Sequence, residues 1–384
     1  MTSDTGHTDE PTIWLFSDIL AGLGGIETYL DALARKLHDE GRQFRIAVSL
    51  NGPTPILDDL EALGIPIYRQ KRIPGDRFHI RQRLLVRHVA NRLNPGDWVY
   101  CIRQPMPEIY LSLVRAVHAR EAKIAASWIF SPRYIPPPAG RVGDAFCRAV
   151  RQTDAVISVS ECGKSEFAQV YGHSGKVNVV RYHNRPLFDD AVPMPPLPPF
   201  QVGYAGRIDI HQKNLDTLIE AFALLCDKRP DSVLNLHGGG PDEDMLQTLV
   251  AGSPVADRIR IHGRYDLARD MAGIVARSHV FTYASRFEGG PCFSLLELMQ
   301  AGRYVVASPV GGIPDLYDGH PEAGALVDFQ SPAAIAEALE QAACRIEEGA
   351  IDVHRIRQRY LAEFTGDHAH AQFLEALGLE DVAR

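Results

Sequence analysis

The sequence predicts an α/β fold with two parallel sheets, and three observations support this prediction. The chain has 384 residues, which exceeds what a single hydrophobic core usually supports. Short apolar and β-branched runs alternate with segments of helical periodicity almost throughout, a pattern typical of βαβ units. The alternation stops at a proline-rich stretch, residues 191–199, and then starts again. We therefore expect two domains of similar architecture.

The first half of the chain contains strands separated by amphipathic helices. Apolar residues spaced three and four apart, as in the patterns Tyr29-Leu30-Leu33-Leu37 and Leu84-Leu85-His88-Val89, place an apolar face on each helix. The strands are predicted at residues 12–17, 44–50, 65–69, 98–102, 123–127, 155–160 and 177–181.

The prolines between Ala191 and Pro199 remove amide donors and fix the backbone, so neither a helix nor a central strand continues through them. We predict an N-terminal domain over 1–190, a linker over 191–200 and a C-terminal domain over 201–360. A closing helix over 361–384 finishes the second domain or crosses back to the first. The second half has a predicted helix at 215–228 and strands at 201–205, 233–237, 259–262, 279–283, 304–308 and 325–327.

Composition excludes several classes of protein. No stretch approaches the roughly 20 apolar residues that span a bilayer, and the acidic start lacks the pattern of a signal peptide. The six cysteines are scattered without a Cys-x-x-Cys pair, which disfavours a zinc site or a disulfide framework. The net charge of −8 argues against nucleic-acid binding. We expect a cytoplasmic protein.

Two turns that follow strands carry glycines or cations. Gly24 and Gly25 precede the first helix, where a ligand can approach the backbone and an anion can meet free amides; a plain tight turn explains them equally well. Gly206 and Arg207 follow the first predicted strand of the second domain. Lys213 comes shortly after them and precedes a predicted helix. Two such cations stabilise a leaving diphosphate, or else are ordinary solvated surface charges.

Two later turns carry carboxylates. Asp242 and Asp244 resemble a metal-binding pair, yet they directly precede a helical pattern, so we interpret them as acidic residues that cap the first turn. Glu288 and Glu297 bracket a glycine-rich turn that opens a helix, where amides meet phosphate and carboxylates accept hydrogen bonds from hydroxyls. The alternative places Glu297 on an exposed helix face and makes Gly311-Gly312 a mere turn.

Taken in their order along the chain, these segments resemble the retaining GT-B glycosyltransferases of family four, and the resemblance covers nearly the whole chain. The resemblance rests on a series of motifs in register: Gly24-Gly25, Gly206-Arg207 with Lys213 six residues after the arginine, Gly238-Gly-Gly-Pro241, Gly263, the two glutamates, and Val310-Gly-Gly-Ile-Pro314.

The resemblance implies two Rossmann-like domains facing across a cleft and transfer of a sugar from a nucleotide-diphosphate donor without a metal. It implies that Arg207 and Lys213 hold the diphosphate, Glu297 the ribose and Glu288 the transferred sugar. It also implies that backbone amides near Phe293 and Ser294 reach sugar or phosphate, and that Gly263 and Arg264 face the base.

Two departures from the family pattern stand out. Eight residues separate Glu288 from Glu297, where the family has seven. A histidine that follows a first-domain strand in many members is missing, and Ser127 or Trp128 stands in its place. Two alternatives to transfer therefore stay open: a GT-B-shaped scaffold that has lost catalysis, and a GT-B enzyme such as a sugar-nucleotide epimerase.

The acceptor is expected on the first domain, where the segment from Arg69 to Arg92 is strongly basic. Such a surface suits a sugar or lipid-linked acceptor, or peripheral contact with an anionic membrane at its inner face. An ordinary solvated helix face is the competing interpretation.

Overall fold

The structure is a computed structural model, and it describes residues 10–20, 24–70, 78–130, 132–173, 176–183 and 185–379, with 78, 79 and 176 described by their backbone only. The chain divides into two compact units. The first comprises 1–180 with 369–384, and the second comprises 181–368.

The described part of the first unit contains a seven-stranded sheet in which every pair is parallel, with the order β3-β2-β1-β4-β5-β6-β7. The strands are β1 Ile13–Leu20, β2 Phe44–Leu50, β3 Ile67–Gln70, β4 Trp98–Cys101, β5 Lys123–Trp128, β6 Ala155–Ser158 and β7 Lys176–Val179. The helices between them are α1 Gly25–Asp39, α2 Ile56–Ala62, α3 Phe78–Ala90, α4 Pro107–His118, α5 Gly140–Arg151 and α6 Glu161–Tyr171.

The described part of the second unit contains a six-stranded parallel sheet with the order β10-β9-β8-β11-β12-β13. The strands are β8 Gln201–Ala205, β9 Val233–His237, β10 Ile259–Gly263, β11 Val280–Tyr283, β12 Tyr304–Ala307 and β13 Gly324–Leu326. The helices are α7 Ile210–Lys213, α8 Leu215–Lys228, α9 Glu243–Ala251, α10 Leu267–Ala276, α11 Phe293–Gln300, α12 Pro314–Tyr317, α13 Pro332–Glu347, α14 Val353–Glu363 and the start of α15 Gly366–Leu377.

The predicted α/β class with two parallel, Rossmann-like sheets is confirmed. Strands such as β12 are buried at every position, because helices cover both faces of a parallel sheet and the strands become short apolar runs. From residue 369 onward α15 belongs to the first unit, where the Phe373 ring lies 4.9 Å from that of Tyr100.

The proline-rich segment differs from the predicted linker, because it is packed on the second unit. Val192 N donates to Ala301 O over 3.0 Å, and His279 Nε2 lies 3.0 Å from Pro195 O. The buried Arg303 guanidinium donates to the carbonyls of Val192 and Pro193. The units divide at residue 180, about ten residues before the predicted boundary, because these contacts join the segment to the second unit.

Both sheets reverse their strand order at one point, between β1 and β4 in the first and between β8 and β11 in the second. The loops that follow these strands diverge at the carboxyl edge of the sheet and leave a crevice, which is where parallel α/β sheets bind ligands. Each unit therefore has one topologically defined ligand position. No helix in the described ranges is long and apolar enough to cross a membrane.

Candidate active site

The candidate active site lies at the switch point of the second sheet. The loop after β8 carries Gly206 and Arg207 and leads through α7 to Lys213, while the loop after β11 carries Glu288. Since β8 and β11 are neighbours, both loops start from the same edge. The fold thereby brings together side chains that are 75 residues apart in the sequence.

Lys213 and Glu288 form a buried ion pair, with Nζ 2.5 Å from Oε1. Ser285 also donates to Glu288 Oε1, over 2.7 Å. Burial by itself lowers the pKa of Lys213, but the Glu288 carboxylate and the nearby Cys292 together outweigh burial and leave this pKa raised above its ordinary value. The ammonium is therefore held charged at the switch point of the second sheet.

Arg207 extends from the same loop toward solvent, with 61% of its side chain exposed. Its Nη2 donates to Asp209 Oδ2 over 2.7 Å. The other oxygen of Asp209 caps α7 by accepting from Gln212 N over 2.9 Å. Asp209 therefore orients Arg207 and starts the helix that carries Lys213. The sequence signal for it is an Asp three residues before the amide that it caps.

The predicted cap role of Asp242 needs correction. Asp242 is the N-cap residue of α9, but its side chain makes no cap hydrogen bond there. Instead its Oδ2 accepts from Ile210 N over 2.8 Å, because the glycine turn lies against the loop after β8. Asp244 lies in the first turn of α9. Across the described ranges, no group of three or more His, Cys, Asp or Glu side chains is arranged to hold a metal ion.

Two glycine turns support these loops by close backbone contact. A Cβ at Gly238 would lie 1.7 Å from the carbonyl oxygen of Gly206, so only glycine fits beside the loop after β8. Gly311 has φ 56°, and a Cβ there would lie 2.3 Å from Glu288 O. Gly312 N donates to Gly289 O over 2.9 Å. The Gly311-Gly312 turn thus supports the backbone that carries Glu288 and is more than a chain reversal.

The N-terminus of α11 presents Phe293 and Ser294, and Glu297 lies one turn further on. Glu297 is only 3% exposed, so the alternative that places it on an exposed helix face is wrong. Ser294 lies near Tyr265, whose pKa is raised by burial and by the nearby Glu297 carboxylate. The Phe293 ring stacks on Tyr182 at 5.4 Å.

A cavity of about 300 Å³ opens at the carboxyl ends of β9 and β10. Its lining includes Gly263 and Arg264, the two residues predicted to face a base. The rings of His237 and His262 stack 4.1 Å apart along one wall. The Arg264 side chain is 77% exposed and pairs with Glu243 at 3.0 Å. The predicted base-contacting residues therefore lie beside a cavity at the carboxyl ends of β9 and β10.

In the first unit, Gly24 is the N-cap residue of α1 and Gly25 is its first residue. A Cβ at Gly24 would lie 3.0 Å from Glu27 Oε2. The Glu27 carboxylate therefore lies at the N-terminus of α1. Its negative charge makes this helix end less suitable for binding an anion. Residues 21–23 of the same predicted loop lie outside the described residues.

Ser127 and Trp128, which stand where the family histidine is missing, are both buried. The Trp128 ring packs against Phe167 at 4.8 Å and Tyr171 at 5.2 Å. Trp128 is therefore a core side chain and not a sugar platform.

The segment from Arg69 to Arg92 does not form a uniform basic surface. Arg69 pairs with Asp58 and Glu61, and Arg81 is buried and donates to the Leu50 carbonyl. On α3, the exposed side chains Ile80, Arg83, Leu84 and Arg87 share one face. Residues 71–77 lie outside the described residues.

Residues 199–344 match the family model described as glycosyl transferases group 1. The match contains the whole switch-point site of the second unit. The matched residues lie within the second unit. The predicted resemblance to group 1 glycosyltransferases is therefore confirmed.

Two curated relatives match part of the chain, and both are components of phosphatidylinositol N-acetylglucosaminyltransferase. A 151-residue segment of the chain is 27% identical to the human component, covering 38% of this chain and 30% of the relative. A 112-residue segment is 28% identical to the gpi3 component of the Schizosaccharomyces pombe enzyme, covering 29% of this chain and 24% of the relative. The chain thus aligns with less than a third of the length of these relatives.

Solved structures share the fold over almost the full chain. A crystal structure of Anabaena Alr3699/HepE in complex with UDP superposes with a TM-score of 0.73 at 18% identity, covering 96% of this chain and 99% of that one. A glycosyltransferase from Rickettsia africae ESF-5 gives a TM-score of 0.75 at 17% identity, covering 96% and 98%. At these identities the likeness concerns the fold alone.

Proposed function

We propose that this group 1 glycosyltransferase is a retaining enzyme that transfers a sugar from a UDP-sugar to an acceptor hydroxyl in glycoconjugate biosynthesis. One observation carries the proposal: Lys213 and Glu288 meet at the switch point of the second sheet, 2.5 Å apart and buried. A charged ammonium and a carboxylate at this position match the two ends of a sugar diphosphate. The UDP donor is suggested by the complex of Alr3699/HepE with UDP, which has the same fold.

In this proposal the two cations act on the leaving group. Negative charge accumulates on the diphosphate as the glycosidic bond breaks, and preorganised cations stabilise that charge most when they are buried. Lys213 is buried, and Arg207 is the exposed cation of the same loop. Arg207 exchanges its bond with Asp209 for one with a phosphate oxygen.

The carboxylates act on hydroxyl groups. Glu288 and the loop after it hold the transferred sugar, and Glu297 holds the ribose hydroxyls, since an ionised carboxylate accepts several hydrogen bonds. Amides of Phe293 and Ser294 at the start of α11 reach sugar or phosphate. The base lies in the cavity beside Gly263 and Arg264.

Retention and independence from metal are further parts of the proposal, and both come from the family resemblance. The acceptor hydroxyl attacks on the face from which the diphosphate departs, and a leaving phosphate oxygen takes the acceptor proton. Arg207 and Lys213 supply the positive charge that this step needs.

The acceptor is proposed to be lipid-linked, because both curated relatives belong to phosphatidylinositol N-acetylglucosaminyltransferase. The exposed face of α3 combines Ile80 and Leu84 with Arg83 and Arg87. Apolar and cationic side chains on one helix face suit peripheral contact with an anionic membrane. Sedimentation with phosphatidylinositol vesicles tests this contact, and absence of binding at low salt rules it out.

Titration calorimetry with UDP, GDP and ADP, followed by measurement of UDP release from UDP-sugars, tests the donor assignment. Glu288→Gln keeps the shape of the site but removes the carboxylate, and turnover should fall at least ~tenfold, roughly the loss of one charge-assisted contact. Binding without turnover in the unsubstituted protein would instead indicate a scaffold. Formation of an isomerised donor without acceptor would indicate an epimerase-like enzyme.

A further inference from the structure

The carboxylate of Asp18 lies at the carboxyl end of β1, at the switch point of the first sheet, and is 0% exposed. Its Oδ2 accepts from Met106 N over 2.6 Å, and Met106 is the N-cap residue of α4. Asp18 therefore ties the end of β1 to the loop after β4. These are the two loops that diverge at the crevice.

The other oxygen, Asp18 Oδ1, is buried and has no hydrogen-bond partner in the described part of the chain. Gln82 of α3, also 0% exposed, donates from Nε2 to the Asp18 carbonyl, and its own Oε1 likewise lacks a partner among the described residues. Two buried acceptor oxygens without donors therefore lie around one residue at the crevice.

Another buried aspartate of the same unit shows the contrast. Asp97 is 3% exposed, and its two oxygens accept from Thr12 N and Asn94 N, both over 2.9 Å. A buried acceptor that lacks a donor is costly, and structural carboxylates such as Asp97 avoid that cost. Asp18 and Gln82 do not avoid it, and their free acceptor oxygens can be completed by a donor from outside the protein.

The missing partners define the ligand chemically. Both oxygens need donors, and a hydroxyl group supplies one, whereas a phosphate or carboxylate would repel Asp18. Burial raises the pKa of Asp18, while the Met106 amide, the Arg103 guanidinium and the nearby backbone amides of Asp18 and Ile19 oppose this rise. The nearby cation leaves room for a neutral hydroxylated ring and not for a second cation.

We propose that Asp18 Oδ1 and Gln82 Oε1 accept hydrogen bonds from hydroxyl groups of the acceptor, and that Asp18 thereby selects a polyhydroxylated ring. This inference rests on the proposed function, because it assigns the acceptor side of the transferase to the crevice of the first sheet. Donor binding belongs to the second unit and does not involve these residues.

The test uses the full chain with Asp18→Asn, which keeps an oxygen for Met106 N and replaces the unpartnered oxygen by an NH₂ donor. The probes are myo-inositol and glucose, and UDP alone serves as the donor-site probe. We expect each polyol that binds to raise the melting temperature of the unsubstituted protein and to accelerate UDP release from UDP-N-acetylglucosamine. In Asp18→Asn the half-saturating polyol concentration should rise at least ~tenfold, with UDP affinity unchanged.

Asp97→Asn is the matched control: it removes a buried carboxylate whose oxygens are both satisfied, so it should lower stability without changing the response to polyols. Gln82→Leu provides a second variant, expected to weaken the same response. The inference is overturned if no polyol affects the unsubstituted protein, if Asp18→Asn responds equally, or if Asp18→Asn also loses UDP affinity. If the unsubstituted protein fails to bind UDP, the proposed function is refuted instead. The change in melting temperature with polyols still tests whether Asp18 binds them.

Discussion

A substitution of Arg207 can test ligand binding with little effect on the stability of the fold. Its side chain is 61% exposed and forms one ion pair, and such pairs contribute about 0–1 kcal/mol to stability. Arg207→Ala should therefore leave the free energy of unfolding nearly unchanged. Loss of a charge-assisted contact to the diphosphate should weaken UDP binding at least ~tenfold, as measured by titration calorimetry.

Lys228→Ala is the control for this substitution. Lys228 is also an exposed cation, 53% exposed and paired with Glu337 at 2.6 Å, but it lies at the far end of α8. It should change neither stability nor UDP affinity. Equal UDP affinity in Arg207→Ala and the unsubstituted protein would show that Arg207 does not bind the diphosphate.

Gly311 permits a second prediction at the scale of single residues. Gly311 and Gly319 both have positive φ, 56° and 73°, but a Cβ at Gly311 would lie 2.3 Å from Glu288 O, whereas a Cβ at Gly319 would meet no atom within 4 Å. Either substitution by alanine carries the left-handed strain of about 1–2 kcal/mol. Only Gly311→Ala should displace Glu288 and reduce UDP-sugar turnover, by at least ~tenfold. Equal turnover in the two variants would show that this turn does not position Glu288.

At the scale of elements, Arg303 holds the proline-rich segment to the second unit. Its guanidinium is 0% exposed and donates to Pro193 O over 2.6 Å and Ser278 O over 3.0 Å, as well as to Val192 O. Burial lowers the pKa of Arg303 to about 10. The charge is kept because backbone carbonyls surround it.

Arg303→Lys should lower the free energy of unfolding by about 2–4 kcal/mol, because a single ammonium cannot reach carbonyls on both sides and leaves buried acceptors unpaired. Urea denaturation measures this loss. Arg258→Lys, at a partly exposed arginine whose nearest carboxylate, Asp257, is 3.8 Å away, should cost much less. A similar loss of stability in both variants would contradict the conclusion that Arg303 holds the proline-rich segment to the second unit.

The same segment shows where reasoning from sequence succeeds and fails at this scale. The strands β2, β8 and β9 have the predicted bounds, as does helix α8, because short buried runs and a long amphipathic pattern are local signals. The prolines indicate only that regular structure stops. The segment packs against the turn between α11 and β12 through Ala301 and Arg303, more than 100 residues away, and no local pattern indicates such a contact.

At the scale of the whole molecule, the sequence predicted residues for the candidate site but not their arrangement. Motif order and spacing pointed to Arg207, Lys213, Glu288 and Glu297. The ion pair between Lys213 and Glu288 follows from the strand order, which places β8 beside β11 and cannot be read from spacing. Asp18 carried no sequence signal, since its significance is a missing hydrogen bond that appears only after folding.

The stability of the second unit should depend on pH through His237. Its side chain is 4% exposed, and its ring stacks on His262 at 4.1 Å. Burial, followed by the neighbouring His262 and Arg277, lowers the pKa of His237 from 6.5 to about 4. The folded state therefore keeps this ring neutral at a pH where the unfolded chain protonates it.

Because the folded pKa is depressed, the free energy of unfolding should fall as pH decreases from about 6.5 to about 4, with a contribution from His237 of about 2–3 kcal/mol. His237→Phe keeps a stacking ring without a titratable group and should flatten this part of the profile. His354→Phe, at an exposed histidine of the same unit, should leave it unchanged. Urea denaturation between pH 4 and 7 measures the slopes; equal slopes for both variants would mean that other groups govern acid sensitivity.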